Sequence, residues 1–220
     1  MLFLQQKTMR KFTTFILLIS VFFSLSISIN AQNVDINLLK NLNSQSPAAL
    51  RNYSSFISNT TYITVIAVPI IMGSVALIEK NDDLLKSTIS LGTGLAVNTA
   101  LTYALKYTTN RTRPYDKYPG VLDVPYPESS PSFPSGHTSI AFATATSLSL
   151  HYPKWYVIVP SYLWACSVAY SRLNLGVHYP SDVLGGMLLG AGSAYLTYKV
   201  NQWLWKKHDN KKIFKSYAFL

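Results

Sequence analysis

The chain has 220 residues, of which 49% are hydrophobic and 13% charged, and its formal net charge is +10. The charged fraction is about half that of an average soluble domain, which argues against an ordinary soluble protein, and the length fits a single domain. The basic residues form no continuous stripe among aromatic residues, so nucleic-acid binding is not predicted, and the single cysteine excludes a disulfide framework within the chain.

The first predicted element is the apolar segment 12–29, which follows several basic residues and precedes Ala31. This order is typical of a secretory signal peptide with cleavage after Ala31. The same segment is long enough to remain as a first membrane helix. Residues 1–31 are therefore either a signal peptide or a first transmembrane helix, and in both cases the chain that follows starts outside the cytoplasm.

The rest of the chain, residues 32–220, is expected to form one domain. Its first part, residues 33–58, mixes polar and apolar residues and predicts short amphipathic helices on the membrane surface. Apolar segments long enough to cross a bilayer follow at about residues 60–78, 84–105, 138–151, 155–171 and 183–203. The predicted fold class is therefore all-α, a helical bundle of five or six transmembrane helices.

Two of these segments carry packing information. Residues 138–151 are rich in serine and threonine, so we expect this helix to be buried among its neighbours rather than to face lipid. Gly186 and Gly190 stand four positions apart on a helix, a pattern that permits close helix packing.

The basic tail, residues 204–220, sets the predicted orientation, because positively charged flanks stay in the cytoplasm. Counting the spans back from this tail places the long polar segment 106–137 and the stretch 172–178 on the outer side. We therefore expect a multi-pass protein of a bacterial inner membrane whose active site lies at the periplasmic ends of the helices.

Three polar clusters fall on that outer side. The first runs from Lys106 to Arg113, the second is Ser135-Gly136-His137, and the third begins at Arg172. Lys106, Arg113 and Arg172 are cations, and arginine binds phosphoryl oxygens through two parallel hydrogen bonds. Gly136 lets the backbone approach an anion at the start of a helix, where free N–H groups point outward. The clusters together predict a phosphate site.

The third cluster also contains a histidine and a carboxylate. Pro180 suits the first turn of a helix and places His178 just before it, with Asp182 four residues after His178. A carboxylate there can fix one ring nitrogen as a donor and leave the other as a nucleophile.

The complete pattern is Lys, six residues, Arg-Pro; then Pro-Ser-Gly-His; then Ser-Arg, five residues, His, three residues, Asp, all between Lys106 and Asp182. It resembles the three-part signature of the type 2 phosphatidic acid phosphatase family without a departure. Lipid phosphatases, bacterial class A acid phosphatases, glucose-6-phosphatase and vanadium haloperoxidases share this signature.

The resemblance implies a mechanism without metal or cofactor. In it, His178 attacks phosphorus and forms a phosphohistidine, Asp182 holds the ring, and His137 protonates the leaving oxygen and then activates water. The residues that would bind the phosphoryl oxygens are Lys106, Arg113, Ser135, Gly136 and Arg172. Ser171 is given only a supporting hydrogen bond, and Arg111 is assigned to solvent.

The resemblance leaves several functions open. The expected one is hydrolysis of a lipid phosphate: undecaprenyl diphosphate, phosphatidylglycerol phosphate, phosphatidate or a phosphate of lipid A. The alternatives are a secreted class A acid phosphatase, a vanadium haloperoxidase and a non-enzymatic scaffold. The apolar spans argue against the first two, and the intact signature argues against the scaffold. Besides substrate, only membrane lipids are predicted partners, and no oligomeric state is predicted. Selectivity is expected to reside in the loop 115–133 and in residues 33–58.

Overall fold

The computed structural model describes residues 29–44 and 46–217, so the predicted signal peptide or first span lies almost entirely outside the described residues. The chain divides into two units, Met1–Asp35 and Ile36–Leu220. The described part of the first unit is the beginning of a helix. All contacts given below belong to the second unit.

The regular structure of the described residues is helical and includes no strand, which confirms the predicted all-α class. Each predicted span lies within one helix. The helices are α1 (Ile29–Ser44), α2 (Ala48–Ile78), α3 (Asp82–Thr109), α4 (Pro114–Lys117), α5 (Gly136–His151), α6 (Trp155–Asn174) and α7 (Pro180–Tyr217).

The helices differ from the predicted segments at their ends. Residues 48–58 do not form a separate surface helix as predicted, because they continue into α2 as one helix of 31 residues. Pro47 stands at its N-cap, and no proline or glycine interrupts the sequence before Pro69. At the other end of the chain α7 continues through most of the predicted tail.

Capping explains where α3 begins and ends. The Asn81 side chain accepts a hydrogen bond from the Leu84 N–H, and Asp82 and Asp83 favour the positive end of the helix dipole. Asn110 ends the helix in the left-handed conformation, with φ of 43°. The chain therefore leaves α3 four residues after Lys106, and the first polar cluster straddles this helix end.

Helix α5 is the central helix and packs against α3, α6 and α7. Its alanines and most of its serines and threonines are buried, which confirms the expectation drawn from its composition. A Cβ atom at Gly190 would lie 2.1 Å from the carbonyl oxygen of Ser139, and one at Gly186 would lie 2.7 Å from that of Ser135. These two glycines therefore allow α7 to contact the backbone of α5, as predicted.

The second half of α1 covers the loops near the start of α7. Ile36 and Leu39 are buried with Tyr179 in one apolar cluster. The Asn43 side chain donates to the carbonyl oxygens of Asp123 and Asn174, both at 2.9 Å. This half of α1 thus joins the loop after α4 to the end of α6.

Large apolar side chains face outward on the long helices. On α2, Ile63 is 70% exposed and Ile78 is 80% exposed, and Leu163 on α6 and Leu184 on α7 are also exposed. Within the described residues α2 is the helix that is long and apolar enough to cross a membrane. Such exposure suits a surface in contact with lipid rather than with water.

Candidate active site

The fold brings all eight predicted site residues to one end of the bundle. Lys106 lies near the end of α3, Arg172 near the end of α6, and His137 in the first turn of α5. The Ser135 N–H donates to the Asp182 carbonyl oxygen at 3.0 Å, which ties the start of α5 to the start of α7. The second and third clusters of the sequence are therefore joined directly through the backbone.

His178 lies between a carboxylate and a cation, and its side chain is 1% exposed. Its Nδ1 atom is 3.5 Å from Asp182 Oδ2, and its Nε2 atom is 3.4 Å from Arg113 Nη1. One ring nitrogen therefore faces the carboxylate, and the other points toward the cations that the sequence predicts to bind phosphate.

Asp182 is fully buried and held by three further donors. Its Oδ1 atom accepts from Arg111 Nη1 at 2.5 Å, and its Oδ2 atom accepts from the Ser132 hydroxyl and from the Tyr179 N–H. Burial acts to raise the pKa of the carboxyl, but the adjacent His178 ring, the Arg111 charge and the Ser132 hydrogen bond keep its pKa below the ordinary value. Asp182 therefore stays ionised.

The assignment of Arg111 to solvent is wrong, because its guanidinium also stacks 4.1 Å from the centre of the Tyr179 ring and bonds the Ser181 hydroxyl. Its position two residues before Arg113, within the first cluster, was a signal available in the sequence. Arg111 therefore positions the Asp182 carboxylate, which in turn faces the His178 ring.

The predicted phosphate-binding cations are buried and fixed in place. Arg113 is 2% exposed and donates from Nε to the Ser130 carbonyl oxygen at 2.7 Å and from Nη1 to the Val177 carbonyl oxygen at 2.8 Å. Arg172 donates to the Ser58 hydroxyl on α2, and Lys106 donates to the Pro131 carbonyl oxygen. No local pattern singles out Ser58, Ser130 or Ser132, so the sequence could not have identified these contacts.

Glu128 lies among these cations. Its Oε2 atom accepts from Arg113 Nη2 at 2.6 Å, its Oε1 atom accepts from Arg172 Nη2, and Oε1 is 4.0 Å from His137 Nδ1. Burial acts to raise the pKa of this carboxyl, but Arg172, His178 and Arg113 together outweigh burial and lower the pKa to about 2. An ionised carboxylate thus occupies the position that suits a phosphoryl oxygen.

Both histidines are neutral at neutral pH in this arrangement. Burial, and then the charge of Arg172, lower the pKa of His137 to about 3. Burial lowers the pKa of His178 to about 4 although the nearby Asp182 carboxylate opposes it. A neutral His178 can act as a nucleophile, and a bound phosphate dianion would raise the pKa of His137 toward the range of a general acid.

The glycine and the two serines of the motifs, Gly136, Ser135 and Ser171, differ in their contacts. A Cβ atom at Gly136 would lie 3.8 Å from side-chain atoms of Lys106 and Thr102, an ordinary contact, so helix packing does not require this glycine. The Ser135 hydroxyl shares a hydrogen bond of 2.9 Å with that of Thr138. The Ser171 hydroxyl donates at 2.7 Å to the Val168 carbonyl oxygen of its own helix and therefore supports α6.

The charges of the site suit an anion. Lys106, Arg113 and Arg172 converge there, and within the described chain no three His, Cys, Asp or Glu side chains are grouped as metal ligands. Preorganised cations and hydrogen-bond donors of this kind can stabilise the charge that develops on a transferring phosphoryl group.

Comparison with known proteins gives consistent similarities. The model of the PAP2 superfamily matches residues 87–206. An undecaprenyl-diphosphatase of Sulfolobus acidocaldarius is 31% identical over 205 residues, which cover 87% of this chain and 93% of that protein.

Two solved structures are also similar. A transmembrane PAP2-type phosphatidylglycerolphosphate phosphatase from Bacillus subtilis aligns with a TM-score of 0.69 and 25% identity, covering 86% of this chain and 95% of that one. LpxE from Aquifex aeolicus aligns with a TM-score of 0.65 and 26% identity, covering 76% of this chain and 95% of that one.

Proposed function

This chain belongs to the PAP2 superfamily and is a membrane lipid phosphatase, and from that premise we propose that His178 cleaves the phosphate from its lipid through a phosphohistidine intermediate. The observation that carries this proposal is the position of the His178 ring, with Nδ1 toward Asp182 and Nε2 toward Arg113. This orientation suits a nucleophile, because one nitrogen faces the carboxylate that orients the ring while the other faces the cations expected to bind the phosphoryl group.

In the first step His178 Nε2 attacks phosphorus as the bond to the leaving oxygen breaks. The positive charge that forms on the ring is stabilised by Asp182, which Arg111, Ser132 and the Tyr179 N–H keep in place. The proton that the leaving oxygen needs comes from His137. The phosphoryl oxygens are bound by Lys106, Arg113 and Arg172, by Ser135, and by the backbone at Gly136.

In the second step water attacks the phosphohistidine and the bond between nitrogen and phosphorus breaks. His137, which lost its proton in the first step, takes one from this water. Phosphate leaves, and Glu128 again pairs with Arg113 and Arg172. Each step uses charges that are already fixed by the fold, so the reaction needs little reorganisation.

We place the protein across the membrane several times, with the site on the periplasmic side of a bacterial inner membrane. The site residues gather at the ends of α3 and α6 and at the starts of α5 and α7, which form one side of the bundle. The lysines at the end of α7 lie at the opposite end of that helix, and positive flanks remain in the cytoplasm.

The substrate class follows from the site and the relatives. Undecaprenyl diphosphate and phosphatidylglycerol phosphate are candidates because the similar proteins carry names for those activities. Phosphatidate and lipid A phosphates offer the same chemistry, a phosphate at the membrane surface on an apolar anchor.

The test is phosphate release by detergent-purified protein from these four lipids, with His178→Ala beside it and with EDTA present. We expect turnover on at least one lipid, unchanged by EDTA and reduced by more than about a thousandfold in the variant. Retention of more than a few per cent of activity by His178→Ala would exclude the assigned nucleophile. A strict metal requirement would exclude the proposed chemistry.

A further inference from the structure

A cavity of about 110 Å³ extends from the site along α3. Its lining includes His137 and Lys106 at the site and Tyr62, Tyr103, Thr102 and Asn98 further along. The volume is several times the roughly 10–15 Å³ that one water molecule needs, so a small group of a substrate can enter.

The cavity lies on the leaving-group side of the reaction. In phosphoryl transfer the nucleophile and the leaving oxygen stand on opposite sides of phosphorus. The cavity is lined by His137, the proposed acid, and not by His178, the proposed nucleophile. The group bonded to the leaving oxygen is therefore the part of the substrate that enters it.

Asn98 determines the chemistry of the inner end. Its side chain is buried, and its Oδ1 atom accepts from the hydroxyls of Ser139 at 2.7 Å and Ser193 at 3.1 Å. These two hydroxyls hold one end of the amide in place. Its Nδ2 atom has no hydrogen-bond partner among the described residues. A buried donor without a partner destabilises the fold, so a ligand or water with an acceptor oxygen is favoured there.

The charges of the lining restrict the ligand further. The charged groups among its described residues are Lys106, Glu128 and the titratable His137, all at the site end. The inner lining offers neutral hydroxyl and amide groups instead. A second phosphate bonded directly to the leaving oxygen, as in a diphosphate, would meet Glu128 and find no further cation, whereas an apolar prenyl chain would leave Asn98 unpaired after displacing water.

We propose that this cavity binds the leaving alcohol and that Asn98 makes the enzyme select phosphomonoesters of a hydroxylated alcohol, a glycerol or a sugar, over prenyl phosphates and diphosphates. The inference rests on the proposed function. In the reaction His137 gives its proton to the oxygen of this alcohol as the bond to phosphorus breaks, and the lipid that carries the alcohol is released.

The test compares kcat/KM for phosphatidylglycerol phosphate, farnesyl phosphate and farnesyl diphosphate in the unaltered protein and in Asn98→Leu. We expect the unaltered protein to prefer the glycerol phosphate by at least about tenfold. Asn98→Leu is expected to lose about tenfold on that substrate and to change by less than about twofold on farnesyl phosphate. Asn201→Leu is the matched control, because the Asn201 amide bonds Ser90 and Thr93 away from the cavity.

Equal turnover of the three substrates by the unaltered protein would overturn the inference while leaving the proposed function intact. Equal losses on all substrates in Asn98→Leu, with Asn201→Leu unaffected, would also overturn it, because Asn98 would then support the fold or the catalytic step alone. If Asn98→Leu does not fold, Asn98→Ala replaces it, and the preference of the unaltered protein remains decisive. No turnover of any substrate by the folded protein would refute the proposed function and this inference together.

Discussion

At the scale of single residues, the contacts of Glu128 show how the site balances its charge. The carboxylate pairs with Arg113 and Arg172, so an incoming phosphate must break two charge-assisted hydrogen bonds before it can use the same cations. Such bonds are worth about 1.5–3 kcal/mol each. Glu128 therefore competes with the phosphoryl group.

Replacing Glu128 by glutamine should strengthen the binding of vanadate, an analogue of the transferring phosphoryl group. We expect the inhibition constant to fall about tenfold, because the neutral amide holds the arginines less strongly than the carboxylate does. Asp116→Asn, an exposed change in the neighbouring helix α4, should leave the inhibition constant unchanged. A weaker inhibition in Glu128→Gln would show instead that Glu128 helps to build the site.

Lys106 should limit activity in alkaline solution. Burial, and then the charge of Arg113, lower its pKa to about 8, so its positive charge is present below that pH and lost above it. The value of kcat/KM, which reports ionisation of the free enzyme, should therefore fall severalfold between about pH 7 and about pH 10.

Lys106→Arg tests this assignment, because arginine keeps its charge throughout that range. We expect its kcat/KM profile to lack the alkaline decline. His178 does not contribute to this limb, since its pKa of about 4 leaves it neutral at both ends of the range. The same decline in both proteins would assign the limb to another group.

At the scale of the helices, the contact between α5 and α7 decides where the site residues lie. Gly186 approaches Ser135, the residue before α5, and Gly190 approaches Ser139 on α5; Ser135 is itself predicted to bind phosphate. A side chain at these glycines would push apart the two helices that carry His137 and Asp182.

Gly190→Ala should destabilise the protein by about 1–3 kcal/mol, the cost of overpacking a well-packed contact. For a protein of this size we expect the midpoint of thermal unfolding in detergent to fall by about 2–4 °C per kcal/mol. Gly192→Ala is the matched control, because a Cβ atom there meets nothing within 4 Å. Equal midpoints in the two variants would contradict the role given to Gly190.

At the scale of the whole molecule, the orientation in the membrane can be tested with single cysteines. In a Cys166→Ser background, Tyr126→Cys lies in the loop beside the site, and Lys154→Cys lies in the short connection between α5 and α6. Tyr126 is 66% exposed, so a cysteine at this position should be accessible to a thiol-reactive maleimide.

We expect an impermeant maleimide to label Tyr126→Cys in cells whose outer membrane is permeable, and to label Lys154→Cys only after the inner membrane is opened. The reverse pattern would place the site in the cytoplasm. Labelling of both positions in closed cells would contradict the assignment of these loops to opposite sides.

The sequence by itself determined the helical class and the residues of the proposed site. Apolar segments of membrane-crossing length predict helices because the backbone must satisfy its own hydrogen bonds in lipid. The fixed spacing from Lys106 to Asp182 identified the phosphate-binding pattern, since each cluster is local in sequence. The burial of α5 was also predictable, because its serines and threonines are poorly suited to lipid.

Only the tertiary structure decided which side chains hold those residues in place. Ser58 on α2 contacts Arg172, Arg111 contacts Asp182 across 71 positions, and the Asn43 side chain on α1 joins two loops far along the chain. Asn98 likewise meets Ser193 only because α3 packs against α7. These contacts carry no local periodicity or spacing. They arise from how the helices pack, and a pattern read along one segment contains no information about which distant segment will lie beside it.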